Sequence, residues 1–232
     1  MTNGAPVSTG SSAIDELLGG GLERSAITQV YGPPAAGKST LAMSSAVAVA
    51  ACGSTAIYID TEGLSHDRLD QLTAASVQAD AVADTLDRIL VTTATDFDEQ
   101  AQQIRDTAQY ADGASLIVLD SATALYRLER ADEGDDGDSL DRLANQVAFL
   151  LSLARRYNTA VLLTNQVFTD PDAETIRPLG GAMLEHWSST ILRLDRFRGS
   201  RRRLSAEKLT GESSTRATML QLTDGGFKGI DL

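Results

Sequence analysis

Eight residues constrain this chain more than any others: Gly32-Pro33-Pro34-Ala35-Ala36-Gly37-Lys38-Ser39. Their spacing satisfies G-x-x-x-x-G-K-[ST], a loop that curls so that successive backbone N–H groups point inward at a phosphate. Glycine at both ends permits the curl. The context agrees with the pattern. Residues 26–31 are a compact apolar run that fits a buried strand, and residues 38–52 have the length and alanine content of a helix. In that setting Lys38 supplies a point charge to the β- and γ-phosphates of a nucleoside triphosphate, and the Ser39 hydroxyl reaches Mg²⁺. Thr40 follows in the first helical turn, whose positive end faces the anion. Residues 32–40 are therefore the expected nucleotide site, with ATP and Mg²⁺ as its cofactors.

Composition removes several other classes. The single cysteine, Cys52, excludes an internal disulfide framework and a cysteine-based zinc site. Two histidines, His66 and His186, leave little for a histidine-rich metal centre. No apolar run approaches the roughly 20 residues of a membrane span, and the N-terminus lacks the basic-then-apolar pattern of a signal peptide, so the expected location is cytoplasmic. The chain carries 32 acidic and 20 basic residues, a net −12, and only three of its bases are lysine. An acidic, lysine-poor chain fits a salt-saturated cytoplasm, where charge repulsion is screened to about 3 Å at 1 M salt.

Along the chain, further apolar runs at residues 55–60, 88–92, 115–120 and 159–164 read as buried strands. Helical stretches lie between them at 68–83, 96–111 and 139–157. Strands alternating with helices predict an α/β fold with a mostly parallel sheet covered on both faces. From residue 190 onward the pattern changes to shorter strands, with turns at Gly199 and Gly225–Gly226. Residues 132–138 form an acidic run expected to be a hydrated loop.

Three strand ends carry candidate chemistry. The run Leu116-Ile-Val-Leu-Asp120 closes on a carboxylate that can hold Mg²⁺ directly or through its water. Asp60-Thr61-Glu62 ends a neighbouring strand, where open α/β sheets bind ligands, and Glu62 is the candidate base for activating water. Gln166, past the end of the run at 159–164, presents an amide that can sense a γ-phosphate or simply cap the strand.

Taken in order, these motifs resemble the RecA/RadA recombinase family, in the form reduced to its ATPase core. Ser8-Thr-Gly10-Ser-Ser-Ala-Ile-Asp15-Glu-Leu-Leu-Gly-Gly-Gly21 resembles the family's lead-in. Tyr58-Ile-Asp-Thr-Glu-Gly63 resembles its catalytic-glutamate strand, and Asp120-Ser-Ala-Thr-Ala-Leu-Tyr-Arg127 its Walker B segment. Thr164-Asn-Gln-Val167 and Leu179-Gly-Gly-Ala-Met-Leu-Glu-His186 resemble the segments entering and leaving the second DNA loop. The resemblance implies a RecA-like P-loop NTPase core with a C-terminal β extension. It assigns catalysis to Lys38, Glu62 as general base and Gln166 as the switch that reports the γ-phosphate. It also implies that Arg68 stacks on adenine and that His186 senses the γ-phosphate of a neighbouring protomer.

The lead-in starts seven residues after Met1, so a single core domain over 1–232 is expected, without the family's N-terminal helical DNA-binding domain. Both positions of the family's DNA loops, 129–138 and 168–178, are acidic, and acidic loops repel phosphates. Basic charge gathers instead at Arg193, Arg196, Arg198, Arg201, Arg202, Arg203 and Lys208. As a hairpin, that cluster would offer guanidinium groups to a phosphate backbone or an acidic partner. The DNA-binding candidates are Arg198, Arg201, Arg202 and Arg203. The expected role is a recombination accessory protein with weak, DNA-dependent ATP hydrolysis. It would contact single-stranded DNA and assist a main RadA-type recombinase and other recombination proteins. A KaiC-like regulatory ATPase and a nucleotide-dependent interaction module remain as alternatives.

The composition generates one expectation for the folded chain. Below about 1 M KCl the screening length grows and the carboxylates repel one another, so the melting temperature should fall as salt is removed. Circular-dichroism melts across a KCl series check this, and a melting temperature that holds or rises on desalting would contradict the salt-adapted reading.

Overall fold

The computed structural model describes residues 4–133, 138–170, 175–209 and 216–230. The order of elements is α1 (Ser12–Leu17), β1 (Ile27–Tyr31), α2 (Lys38–Ala51), β2 (Thr55–Asp60), α3 (His66–Ser76), α4 (Val82–Leu86) and β3 (Ile89–Thr93). Then come α5 (Phe97–Asp106), β4 (Ala114–Asp120), α6 (Ala124–Glu133), α7 (Asp138–Tyr157), β5 (Ala160–Asn165), β6 (Val167–Asp170) and β7 (Thr175–Pro178). The chain continues through α8 (Gly181–Trp187), β8 (Thr190–Arg196), β9 (Arg201–Lys208), β10 (Arg216–Thr223) and β11 (Gly226–Gly229).

One nine-stranded sheet runs in the order β11-β10-β9-β8-β1-β5-β4-β2-β3. From β3 to β8 every pairing is parallel, and from β8 to β11 every pairing is antiparallel. The apolar runs explain the parallel half. β1 and β5 are buried at every position, as strands covered on both faces must be. Alternate residues feed two cores: Val30, Tyr58, Val118 and Leu162 pack with α2, while Ile57, Ile59, Leu119 and Leu163 pack with α5 and α7.

Several helix boundaries differ from the expectation, each for a local reason. The stretch expected as one helix over 68–83 is α3 and α4, because Val77 and Gln78 are extended between them. Ser76 Oγ and Thr73 Oγ1 donate back to the carbonyls of Leu72 and Leu69, competing with helix propagation at that end. The helix expected over 96–111 is capped by Asp96, whose carboxylate accepts from Glu99 N at 2.7 Å, and gives way at Thr107 to a 3₁₀ turn. Residues 129–133, expected in an acidic loop, complete α6 instead. Of that run, 134–137 lie outside the described residues and Asp138 opens α7. The expected second loop, 168–178, contains the β6–β7 hairpin, and its residues 171–174, with Asp172 and Glu174, lie outside the described residues.

The antiparallel strands press directly against the phosphate loop. A Cβ placed on Gly32 would lie 2.1 Å from the Leu194 carbonyl oxygen on β8, and one on Gly37 would lie 2.7 Å from Cζ of Phe227 on β11. Gly32→Ala should therefore force the loop off β8 and cost about 1–3 kcal/mol, the usual range for overpacking. In urea denaturation we expect a lower midpoint with an unchanged m-value, and a midpoint equal to the parent's would contradict this packing.

Candidate functional site

The loop between β1 and α2 is a tight backbone ring. Ala35 (φ 58°) and Gly37 (φ 109°) are left-handed, and Ala36 N donates to the Pro33 carbonyl at 3.2 Å. The Lys38 ammonium spans the ring, donating to the carbonyls of Gly32 at 2.9 Å and Pro33 at 3.3 Å. Burial lowers its pKa, while the nearby Glu62 and Asp120 carboxylates oppose that shift. Lys38 and Ser39 stand in the first turn of the 14-residue α2, so the positive end of the helix points into the same space.

Asp120, at the end of β4, is buried and held from three sides. The Tyr58 hydroxyl donates to Oδ2 at 2.5 Å, Thr164 Oγ1 donates to Oδ1, and Ser39 also hydrogen-bonds the carboxylate. Burial raises its pKa, and those three hydrogen bonds pull the other way. Asp120 in turn helps push the buried Tyr58 hydroxyl well above the usual tyrosine range, after burial itself. A hydroxyl and a carboxylate converging this way form an all-oxygen donor set of the kind Mg²⁺ takes.

Glu62 lies across the cleft. Its Oε1 accepts from Ser121 Oγ at 2.9 Å and from Gln166 Nε2 at 2.6 Å. The turn that carries it is built by Asp60, whose carboxylate accepts the backbone N–H groups of Glu62, Gly63 and Leu64 at 3.2, 3.1 and 2.6 Å. Gln166 leads directly into β6. Its backbone N–H donates to Thr123 Oγ1 at 3.1 Å, and its carbonyl accepts from Leu179 N at 3.0 Å. The Gln166 Oε1 is buried with no partner among the described residues.

These groups enclose a cleft of about 450 Å³. Of the expected site residues, Gly32, Pro34, Ala35, Gly37, Lys38, Ser39, Thr40, Glu62 and Gln166 line it. Pro33 contributes its carbonyl to the loop's own bonding, while the Ala36 carbonyl accepts from Arg202 Nε on β9. A cleft that ends in a glycine ring, a lysine and a helix start fits a nucleoside triphosphate, and the residues are of the right kind for Mg²⁺ beside it.

The profile of the Rad51 family matches residues 4–228. The DNA repair and recombination protein RadB of Halobacterium salinarum is 52% identical over 94% of this chain and 93% of its own length. The RadB of Methanoculleus marisnigri is 44% identical over 84% of this chain and 86% of its own. A RadB recombinase crystal structure superposes with a TM-score of 0.82 at 33% identity, covering 97% of this chain and 100% of that one. The chain belongs to the RadB group of the Rad51 family. Its nine-stranded sheet is accordingly the RecA-like core, and its acidic, lysine-poor composition fits its similarity to a RadB of the halophile Halobacterium.

Within this RadB fold, Arg68 lies off the cleft and Arg202 off the outer patch, while His186, expected to act on a neighbouring protomer, lies away from this chain's own cleft. The Arg68 guanidinium donates to the carbonyls of Thr223 at 2.8 Å and Asp224 at 2.9 Å, and is not among the residues lining the cleft. Leu222, just before that turn, is. His186, its ring edge-on to Trp187 at 5.4 Å, borders a separate cavity with Ser25 and Ile27 at the opposite end of β1. Arg202 is not on the outer patch. It is 5% exposed, because strand alternation turns it inward between the exposed Arg201 and Arg203. Arg193, also expected in the patch, pairs with Asp195 at 3.0 Å.

Sequence reasoning assigned no role to Arg127, which lines the cleft with the phosphate loop, or to Tyr58 and Thr164 around Asp120. The signal for the last two is a hydroxyl inside an otherwise apolar strand. Among the described residues no helix is long and apolar enough to cross a membrane.

The buried carboxylate generates a prediction. Because Asp120 has a raised pKa, the folded chain holds that proton more tightly than the unfolded chain, and ionisation with rising pH costs stability. Asp120→Asn should melt no lower than the parent at neutral pH without Mg²⁺, with the difference closing as pH falls through the raised pKa. Melts of both proteins over an acid-to-neutral series test this. A variant that melts well below the parent at neutral pH would contradict it.

Proposed function

We propose that this RadB-family chain is a cytoplasmic, single-domain, ATP- and DNA-binding accessory protein of homologous recombination and DNA repair, assisting a main RadA-type recombinase. The observation that carries the reading is the bond between Gln166 and Glu62. It joins a phosphate-loop cleft to the hairpin β6–β7, which follows Gln166 directly. Lys38 and the loop N–H groups bind the phosphates, and Ser39 with Asp120 would hold Mg²⁺, which neutralises phosphate charge when bound. Glu62 accepts the proton of the attacking water. Its Oε1 is already engaged by Ser121 and Gln166, which fits slow turnover. Gln166 reports the state of the cleft to the hairpin.

DNA contact is assigned to the exposed Arg198, Arg201 and Arg203. Phe197, 49% exposed, stands beside Arg203 and offers a face on which a base of single-stranded DNA can stack.

Two measurements test this reading in high KCl. Lys38→Ala should abolish MgATP binding by calorimetry, and Glu62→Gln should bind MgATP while losing hydrolysis. A Lys38 variant that binds like the parent would refute the phosphate site. Replacing Arg201 and Arg203 with Ser should weaken DNA binding and flatten the slope of log K against log salt by about 1.4–1.8. An unchanged slope would move the patch to a protein partner and favour a nucleotide-dependent interaction module.

A further inference from the structure

Arg202 is a buried guanidinium whose hydrogen-bond acceptors among the described residues are all backbone carbonyls. Its Nε donates to Ala36 O at 2.7 Å and its Nη2 to Ala35 O at 3.3 Å, while Nη1 donates to Gly199 O at 3.0 Å and Arg201 O at 2.9 Å. The nearby charge it senses is that of another arginine, Arg196. A buried charge without a counterion is costly unless something present in the working state compensates it.

The place of these bonds indicates what that is. Ala36 O and the N–H of Gly37 are opposite ends of one planar trans peptide. A donor that grips the carbonyl from behind therefore aims the N–H forward, into the cleft that Gly37 lines. The preceding peptide is already turned inward on the loop, because Ala36 N donates to Pro33 O. A charged donor on the Ala36 carbonyl also polarises the peptide, strengthening the N–H as a donor toward an anion.

We propose that Arg202 is a positioning residue of the nucleotide site: it grips the Ala36–Gly37 peptide from behind so that the Gly37 N–H meets the nucleotide's phosphates. The inference rests on the nucleotide reading above and extends it to a strand, β9, that lies outside the loop motif. The same guanidinium holds the carbonyls of Gly199 and Arg201. The turn carrying the exposed arginines and the phosphate loop thus share one anchor.

The test is titration of a fluorescent ATP analogue and its ADP counterpart, with Mg²⁺, into the full chain in high KCl. Arg202→Met keeps the length and apolar stem and removes the donors. It should weaken both nucleotides alike by about tenfold or more, the equivalent of about 1.4 kcal/mol. Arg202→Lys keeps the charge and loses the fork, so it should fall between the parent and Arg202→Met. The melting temperature of each variant without nucleotide separates positioning from folding. If Arg202→Met does not fold, the folded Arg202→Lys carries the test by its smaller loss of affinity, again alike for both nucleotides. Parent-like affinity in a folded variant overturns this inference alone. So does a loss for MgATP without one for MgADP, which would place the effect at the γ-phosphate. A parent chain that binds neither nucleotide overturns the nucleotide reading and this inference with it.

Discussion

The carboxylate of Asp120 is a buried charge at the point where four elements meet. Tyr58 reaches it from β2, Thr164 from β5 and Ser39 from α2, while Asp120 itself ends β4. Burying a carboxylate is costly, and hydrogen bonds from several sides offset part of that cost. The result is geometric. The ends of three neighbouring parallel strands and the first turn of the helix behind the phosphate loop are fixed to one atom pair. Lys38, Ser39, Glu62 and Gln166 each sit on an element held this way or just past its end.

From that knot a chain of polar contacts runs outward. Thr61 and Ser121 exchange hydrogen bonds across the ends of β2 and β4, Ser121 also donates to Glu62, and Gln166 meets the same carboxylate oxygen from β5's side. Thr123 then bonds Asn165, and Asn165 reaches the carbonyl of Leu179 beyond the β6–β7 hairpin. Each link is a short, directional bond, and all but the exposed Gln166–Glu62 bond lie between groups that are wholly or partly buried. A change at Glu62 therefore has a route toward the hairpin through discrete partners and not through general softness of the core.

How much of this could be read in the sequence depended on whether the information was local. The phosphate loop, the carboxylate ends of β2 and β4 and the parallel half of the sheet are encoded in contiguous runs; the loop residues and Glu62 line the cleft, and Asp120 hydrogen-bonds Ser39, which lines it too. The break between α3 and α4 was missed, because it depends on Ser and Thr side chains returning to their own helix and not on glycine or proline. Arg68 and Arg202 were read from motif position and charge. Their actual partners, the carbonyls of Thr223 and Ala36, are distant in sequence and carry no side-chain signature. Period-two alternation in Arg201-Arg202-Arg203 did hold the clue that the middle residue faces the other way.

The contact between Gly37 and Phe227 brings in time as well as space. A chain is made from its N-terminus, and domains assemble as their parts emerge. The phosphate loop is made before β8 and β11, yet Phe227 of β11 packs against its second glycine and Leu194 of β8 against its first. Until β8 and β11 have been made, the loop has its own internal hydrogen bonds but not this backing. An early segment is thus finished by ones made much later. A nascent or broken chain lacking β11 would carry the complete motif in its sequence and an unbraced loop in its structure.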